Sequence, residues 1–506
     1  MTINYIEKIK QAPVYDVAKR SPLEKAENLS LELSNTVLLK REDLQPVFSF
    51  KLRGAYNKIV NLSKREQERG VIAASAGNHA QGVALAANKL AIPAIIVMPR
   101  TTPDIKVKAV DKLGAQVVLH GDIYDEAYQH AVELAQSRGL TFIHPYDDPE
   151  IIAGQGTVGM EILDQHSDHI DAIFIPVGGG GLLAGIAAYV KQLRPGTKII
   201  GVEPDDAACM QQALLAKERV VLDQVGIFAD GVAVRQAGKE PFRIALDHVD
   251  EVVTVNSDEI CAAVMDVFED TRSITEPAGA LAIAGLKKWA ENNNFIEKTL
   301  IGITSGANMN FDRLRYIAER AELGEKREAL FGVSIDEKPG SFRQFCQVIG
   351  DKSITEFNYR YSDDKTAQVF VGVQLREGDV EKQNLFGQLK QYGYNLSDMS
   401  DNEMAKLHVR YMIGGHANLG NEHLFRFQFP ERPGALSQFL NTVGEQWNIS
   451  LFHYRNHGAA YGRVLMGIQV EQNEMEKLRC FLNELIYPYS EETDNPAYQQ
   501  FLREKL

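Results

Sequence analysis

Residues 172–193 read AIFIPVGGGGLLAGIAAYVKQL. Residues 172–177 are a continuous apolar run, as expected of a strand covered on both faces of a parallel sheet. Residues 181–193 carry apolar side chains at helical spacing. Between strand and helix stand Gly178, Gly179, Gly180 and Gly181. Consecutive glycines are costly in chain entropy, so a turn alone explains them poorly. At a helix N-terminus, however, glycines let backbone N–H groups close on an anion while the helix dipole adds to the attraction. The stretch therefore predicts an α/β domain with a phosphate cradle at the end of a strand.

The same alternation runs outward on both sides. Strands are predicted at 37–40, 71–74, 94–98, 116–120, 198–203, 251–255 and 300–304. Helices are predicted at 78–90, 125–139 and 257–271, the last with Ser257 as its cap. Strand and helix in alternation give mainly parallel sheets. Past residue 310 the rhythm changes: 310–330 reads as a charged amphipathic helix, and a repeat follows. FGVSIDEKPGSFRQFCQVIG (331–350) aligns with FRFQFPERPGALSQFLNTVG (425–444) at a shift of 94. With one inserted residue, FNYR (357–360) then matches FHYR (452–455), and VFVGVQL (369–375) matches VLMGIQV (464–470). Each copy reads as a small α+β module of βαββαβ type, the final strand of the second being poorly marked. The expected domains are a catalytic domain at 1–320, a linker helix at 321–330, and two modules at 331–416 and 422–506.

The chain has 506 residues and a formal charge of −14. A single small binding module is excluded, and the acidic balance disfavours nucleic acid as a partner. No apolar run is long enough to span a membrane and no secretory signal opens the chain, so no membrane association and a cytoplasmic location are expected. Cys209, Cys261, Cys346 and Cys480 form no CxxC pair, so neither a metal site nor a disulfide framework is expected.

Four further motifs carry chemistry. In SFKLRGAYNKI (49–59) a lysine follows an aromatic residue at a helix start. Apolar Val47, Phe48 and Phe50 would desolvate the Lys51 ammonium and favour the neutral amine that condenses with a carbonyl. A solvated surface lysine is the alternative. SAGNHAQG (75–82) offers helix N-terminal N–H groups to a carboxylate, or is an ordinary loop capped by Ser75 and Asn78. His79 reads as structural. ITSGAN (303–308) sets Ser305 at a sheet edge, where ligands of open α/β sheets collect, although from this motif alone a plain Ser-Gly turn is the better explanation. Glu276, in TEPAGAL (275–281), reads as a helix cap. A rival lies in the glycine loop itself: Gly179-x-Gly181-x-x-Ala184 followed by Glu203 meets a relaxed dinucleotide fingerprint and would imply an NAD(P)-dependent oxidoreductase. A catalytically silent amino-acid-binding regulatory protein is the third reading.

In their order and spacing, FKLRGA, SAGNHAQG, GGGGL and TSGAN resemble fold type II of the pyridoxal 5′-phosphate enzymes, the tryptophan synthase β-like class. With the repeated tail, the whole chain resembles the biosynthetic threonine deaminases (threonine ammonia-lyases), which carry two ACT-like regulatory modules. The resemblance implies Lys51 as the Schiff-base lysine and proton shuttle, with Phe50 and Asn78 also at the cofactor, Asn78 on its 3′-oxygen. It implies Gly178, Gly179, Gly180, Gly181 and Leu182 at the phosphate and Ser305 at the pyridine nitrogen. Ser75, Ala76, Gly77, Asn78 and His79 would grip the substrate carboxylate. The implied reaction takes L-threonine to 2-oxobutanoate and ammonia, with L-serine as a slower substrate. Isoleucine is implied as inhibitor and valine as its opponent, at a pocket for which Gly340, Tyr359, Gly434 and Tyr454 are candidates. A homotetramer is implied as well.

Overall fold

The computed structural model of the protein describes residues 3–336, 345, 348–350, 352, 354–360, 366–411, 421–430, 447–455, 461–485 and 487–502. The chain divides into two compact units, Met1–Ala321 and Glu322–Leu506.

The first unit holds two sheets. In the larger, the strands Leu23–Lys25, Thr36–Arg41, Thr299–Thr304, Ala172–Pro176, Lys198–Pro204 and Glu251–Val255 lie side by side in that order. All neighbours are parallel except the first pair. The smaller sheet is wholly parallel, in the order Gln116–Leu119, Ala94–Met98, Val71–Ala74, Thr141–Phe142. Ala172–Pro176 is buried along its length, with a neighbour on each side, as its unbroken apolar run requires. Two strands were not expected: Leu23–Lys25 is short and largely exposed, and Thr141–Phe142 has only two residues. Neither is long enough to show a period.

The helix Lys51–Val60 is held at close quarters. A Cβ on Gly82 of the helix Asn78–Lys89 would stand 3.0 Å from the Lys51 carbonyl carbon, and one on Gly54 would stand 2.8 Å from the Ile151 carbonyl oxygen. Glycine at both positions lets backbones approach where a methyl group would not fit. Beneath the helix lies a charge cluster shut off from water. Arg53 pairs with Glu42 at 2.8 Å and Glu161 at 2.7 Å, and Lys40 pairs with Glu161 at 2.6 Å. Burial opposes the Arg53 charge, but the two carboxylates outweigh it and raise its pKa.

Two local expectations fail. Asn256, not Ser257, caps the helix Ser257–Thr271: its side chain accepts from the N–H groups of Asp258 and Glu259, and Glu259 returns a bond to the Asn256 N–H. The segment 321–330 is not a linker helix. The helix Arg313–Gly324 ends, Lys326 turns with φ of 56°, and the strand Glu328–Asp336 begins. A left-handed residue ends a helix wherever it falls, and the apolar side chains of the strand pair into a sheet.

That sheet opens the second unit. Its order is Ile354–Arg360, Thr366–Gln374, Glu328–Asp336, Asn395–Asp398, all antiparallel. The next sheet repeats it with Asn448–Arg455, Tyr461–Gln469, Glu422–Pro430 and Tyr489–Glu491. The registers match as well: Phe331 faces Val371 and Phe425 faces Met466, Tyr359 faces Val369 and Tyr454 faces Val464. Even the irregularity at Ile354/Glu356 recurs at Ile449/Leu451. Gly340, Gly434 and Cys346 lie outside the described residues, as do the side chains of Tyr359 and Tyr454. Cys209 and Cys261 are buried and Cys480 is exposed. No described helix is long and apolar enough to cross a membrane.

The charge cluster gives a stability test. Arg53→Met keeps the bulk but leaves Glu42 and Glu161 short of a buried partner, and breaking such a pair costs about 3–5 kcal/mol. Urea unfolding of the variant should show that loss; a change below about 1 kcal/mol would mean that the cluster relaxes freely.

Candidate active site

Three loops meet beside the start of the Lys51–Val60 helix. Residues 48–50 run against 305–307: the Phe50 N–H donates to the Ser305 carbonyl at 3.3 Å and the Ala307 N–H to the Phe48 carbonyl at 2.9 Å. Ser305 follows Thr299–Thr304, a central strand of the larger sheet, and its hydroxyl donates to the Ala278 carbonyl at 3.1 Å. From the smaller sheet comes Asn78, first residue of its helix. Its Nδ2 donates to Glu276 Oε1 at 2.5 Å, and its Oδ1 accepts from Asn308 Nδ2 at 2.7 Å. The structure thus brings Lys51, Phe50, Asn78 and Ser305 together.

Lys51 Nζ donates to the Pro145 carbonyl at 3.2 Å and lies 5.2 Å from the centre of the Phe50 ring. Burial lowers its pKa to about 8, with only the Glu276 carboxylate pulling the other way. His79 is neutral: burial, reinforced by Lys51, brings its pKa to about 3, and its Nε2 meets the Ile143 carbonyl at 2.8 Å. Its ring is committed to the core, leaving its backbone N–H for any ligand. The helix that starts at Asn78 has Gly77 at its cap and no side chain bonded to its first N–H groups.

The glycine loop is reached through two intermediaries. Tyr146, next to Pro145, covers it: a Cβ on Gly179 would fall 2.2 Å from the Tyr146 ring. Gly231 and Val232 bridge the other side, for a Cβ on Gly178 would meet Val232 Cα at 3.0 Å, and one on Gly231 would meet Asn78 Nδ2 at 3.8 Å. Gly180 caps the helix Gly181–Leu193 in the left-handed region, with φ of 91° and no side-chain cap, so the N–H groups of Gly181 and Leu182 remain for an anion.

Glu276 corrects its expected role. It occupies the cap position of the helix Pro277–Asn293, but its carboxylate makes no capping bond and turns to Asn78 instead. Burial, then repulsion from Asp230, raise its pKa to about 7. The acidic residue of the dinucleotide fingerprint is likewise engaged elsewhere. Glu203 is buried and accepts the N–H groups of Met210 and Gln211, each at 2.8 Å, which leaves it poorly placed to hold a ribose. Pro145, Tyr146, Glu276 and Asn308 were missed as site residues. The signal for the first two was the loop HPYD (144–147) after a strand too short to notice.

These residues fit pyridoxal 5′-phosphate. A partly neutral, enclosed amine suits its aldehyde, the uncapped glycine-led helix suits its phosphate, and a neutral hydroxyl at Ser305 suits its ring nitrogen. The buried hydroxyls of Ser49 and Thr275, beside Phe50 and Glu276, have no hydrogen-bond partner among the described residues, so polar capacity is in hand.

Comparison with known proteins agrees. Residues 14–306 match the family "pyridoxal-phosphate dependent enzyme", and 319–409 and 413–502 each match "C-terminal regulatory domain of threonine dehydratase". The chain is 54% identical over 503 residues to the biosynthetic L-threonine dehydratase of Burkholderia multivorans, covering 99% of each. It is 52% identical to that of Escherichia coli, covering 98% of this chain and 97% of the relative. Among solved structures, the processed form of threonine deaminase isoform 2 from Solanum lycopersicum is similar at 53% identity and a TM-score of 0.62, over 63% of this chain and 92% of that one. Serine racemase from Dictyostelium discoideum is similar at 30% identity and 0.56, over 60% of this chain and 99% of that one.

The Lys51 shift is open to measurement. Because its pKa is lowered, the reactive neutral amine appears at lower pH than for an exposed lysine. Acylation of Lys51 in cofactor-free protein, followed by peptide mapping, should show a midpoint near pH 8; a midpoint near 10.5 would mean that water reaches the amine freely.

Proposed function

The chain belongs to the biosynthetic threonine dehydratases, pyridoxal-phosphate-dependent enzymes with a C-terminal regulatory region, and from that premise we propose which of its residues carry the reaction and what the regulatory region answers to. It is a threonine ammonia-lyase: L-threonine loses its β-hydroxyl as water, and hydrolysis of the product gives 2-oxobutanoate and ammonia. The oxidoreductase and silent-sensor readings are not favoured.

The observation that carries the assignment is the partly buried amine of Lys51, held at the Pro145 carbonyl beside Phe50, with its pKa lowered to about 8. Lys51 would hold the cofactor's aldehyde carbon covalently. When bound, the cofactor supplies an electron-withdrawing ring that accepts the electron pair left at the substrate's Cα. Lys51, displaced by the substrate amine, takes the Cα proton at Nζ, which a neutral amine can do and an ammonium cannot. The N–H groups around Ser75, Ala76, Gly77, Asn78 and His79 hold the substrate carboxylate and so orient the Cα–H bond. Gly178, Gly179, Gly180, Gly181 and Leu182 would anchor the phosphate end. Asn78 would bond the 3′-oxygen. The Ser305 hydroxyl, a weak acid, would hold the ring nitrogen without protonating it as a carboxylic acid would, which would disfavour side reactions that need a long-lived carbanion. L-Serine, with the same hydroxyl and one methyl group fewer to bury, is the slower substrate.

For the regulatory region we propose isoleucine as inhibitor and valine as its opponent, near Gly340, Tyr359, Gly434 and Tyr454. The twofold repetition supports this reading, since equivalent positions occur in each module. The enzyme would act in the cytoplasm, as a homotetramer.

Two experiments test the proposal. Borohydride reduction of the holoenzyme and peptide mapping should find the cofactor on Lys51, and Lys51→Ala should lower turnover by roughly 100- to 10,000-fold or more; a wild-type rate in that variant would end the assignment. Isoleucine should inhibit the full-length enzyme and valine should relieve it, whereas a chain ending at Ala321 should deaminate threonine regardless of isoleucine. Inhibition that persists in the shortened chain would put the effector in the first unit.

A further inference from the structure

An asparagine amide has a donor end and an acceptor end, and what faces each end decides its orientation. Asn78 is governed at both. Asn308 Nδ2 gives one hydrogen to the Val47 carbonyl at 2.8 Å and the other to Asn78 Oδ1 at 2.7 Å. At the far end Glu276 Oε1 accepts from Asn78 Nδ2 at 2.5 Å. Turning the amide over would set a carbonyl oxygen against a carboxyl group and an NH₂ against an NH₂. Space around the carboxyl group is equally closed. A Cβ on Gly306 would come within 2.4 Å of Glu276 Oε1, and Glu276 is only 3% exposed.

We propose that Glu276 is a positioning residue: acting through Asn78, it keeps one Nδ2 hydrogen on itself and so presents the other to the cofactor's 3′-oxygen, while its charge balances the cationic state of the Lys51 nitrogen. This rests on the roles given above to Lys51 and Asn78. A cap would need neither an amide partner nor a lysine within electrostatic reach, and Glu276 has both.

The groups acting on Glu276 are Asn78, Lys51, Lys106, Arg313, and Asp230 from the turn Asp230–Val232; the two cations Lys106 and Arg313 favour its anion, and they also pair with Asp230 at 2.8 Å and 3.4 Å. Burial works against the Asp230 charge, but Lys106 and Arg313 outweigh it and hold that carboxylate ionised. Its repulsion, added to burial, brings Glu276 to about 7. The sign follows. Above that pH Glu276 is an anion that accepts from Asn78 and balances Lys51; as pH falls through about 7 it gains a proton and the balance is lost.

The test uses full-length holoenzyme and three variants. Wild-type kcat/KM should fall on the acid side of about pH 7. Glu276→Gln, whose side-chain oxygen still accepts from Asn78, should lose that acid limb, with a plateau kcat lowered roughly 10- to 100-fold. Glu276→Ala should lose more and shift the visible absorbance of the bound cofactor. Asn308→Asp sets an acceptor against Asn78 Oδ1 and should turn the amide over, giving the same spectral shift with Glu276 intact. It also keeps the test decisive should Glu276→Ala not fold. All should still be trapped by borohydride at Lys51. If Glu276→Gln keeps the wild-type pH profile, or Asn308→Asp keeps the wild-type rate and spectrum, the positioning role is overturned. If wild type is not trapped at Lys51, the cofactor reading itself has failed and takes this inference with it.

Discussion

Lys51 and Arg53 are cations two residues apart on one helix, the first partly and the second wholly buried, and they meet opposite fates. At roughly 100° per residue they project on nearly opposite sides. Arg53 enters a cluster in which two carboxylates answer two cations, and its charge is secured. Lys51 enters a cleft where a carbonyl and an aromatic ring are its near neighbours, and its charge is destabilised. One helix orientation does both. The ion cluster, which could be replaced by apolar packing with little loss of stability, has a consequence that apolar packing would not have: it fixes the rotation of the helix and so the side from which the amine emerges.

Carboxylates make the same point from the acid side. Glu203 is buried with two backbone N–H groups as partners and rises to about 7. Asp230 is paired with two cations and stays ionised. Glu276 is buried beside a repelling Asp230, with an amide as its hydrogen-bond partner, and rises to about 7 as well. Identical functional groups a few residues from a shared site thus differ in ionisation through partners supplied by separate segments of the chain. A dinucleotide fingerprint cannot report this. It specifies that an acid follows the glycine loop, and here that acid is already bonded to the helix beside it.

This sets the limit of what was legible in the chain beforehand. Long buried strands such as Ala172–Pro176 announce themselves because burial on both faces demands an unbroken apolar run. Ser305 and the glycine loop drew notice as candidates because they follow such strands, at the carboxyl ends where ligands of open α/β sheets bind. Glu276 was not, because a carboxylate at the cap position before a helix proline is satisfied by the local rule; only Asn78, 198 positions away, turns it elsewhere. Pro145 and Tyr146 follow a two-residue strand with no readable period. Asn256 displaced Ser257 because either could cap, and the capping-box geometry chose the residue three before Glu259.

The tail shows the reverse case, where repetition in the chain fixes more than either copy alone could. One inserted residue between the aligned segments is absorbed without moving the register, because Phe331 and Phe425 meet equivalent partners. The correspondence extends past the last strands, for Asn402 and Asn495 each cap a short helix and bond to one another at 3.2 Å. Nor are the copies separate beads. Phe501, from the end of the second, packs edge-on against Phe370 of the first at 5.7 Å, and a Cβ on Gly332 would strike its ring at 2.5 Å. Leu330, Phe370, Leu424, Leu465 and Tyr498 share one apolar cluster. Close-packed interiors transmit displacement rather than absorb it, so a ligand that prefers one arrangement of either module biases the other through this cluster. Typical couplings of about 1–3 kcal/mol lie within what a few such contacts supply, and one bound amino acid therefore has a physical route to both halves of the regulatory unit.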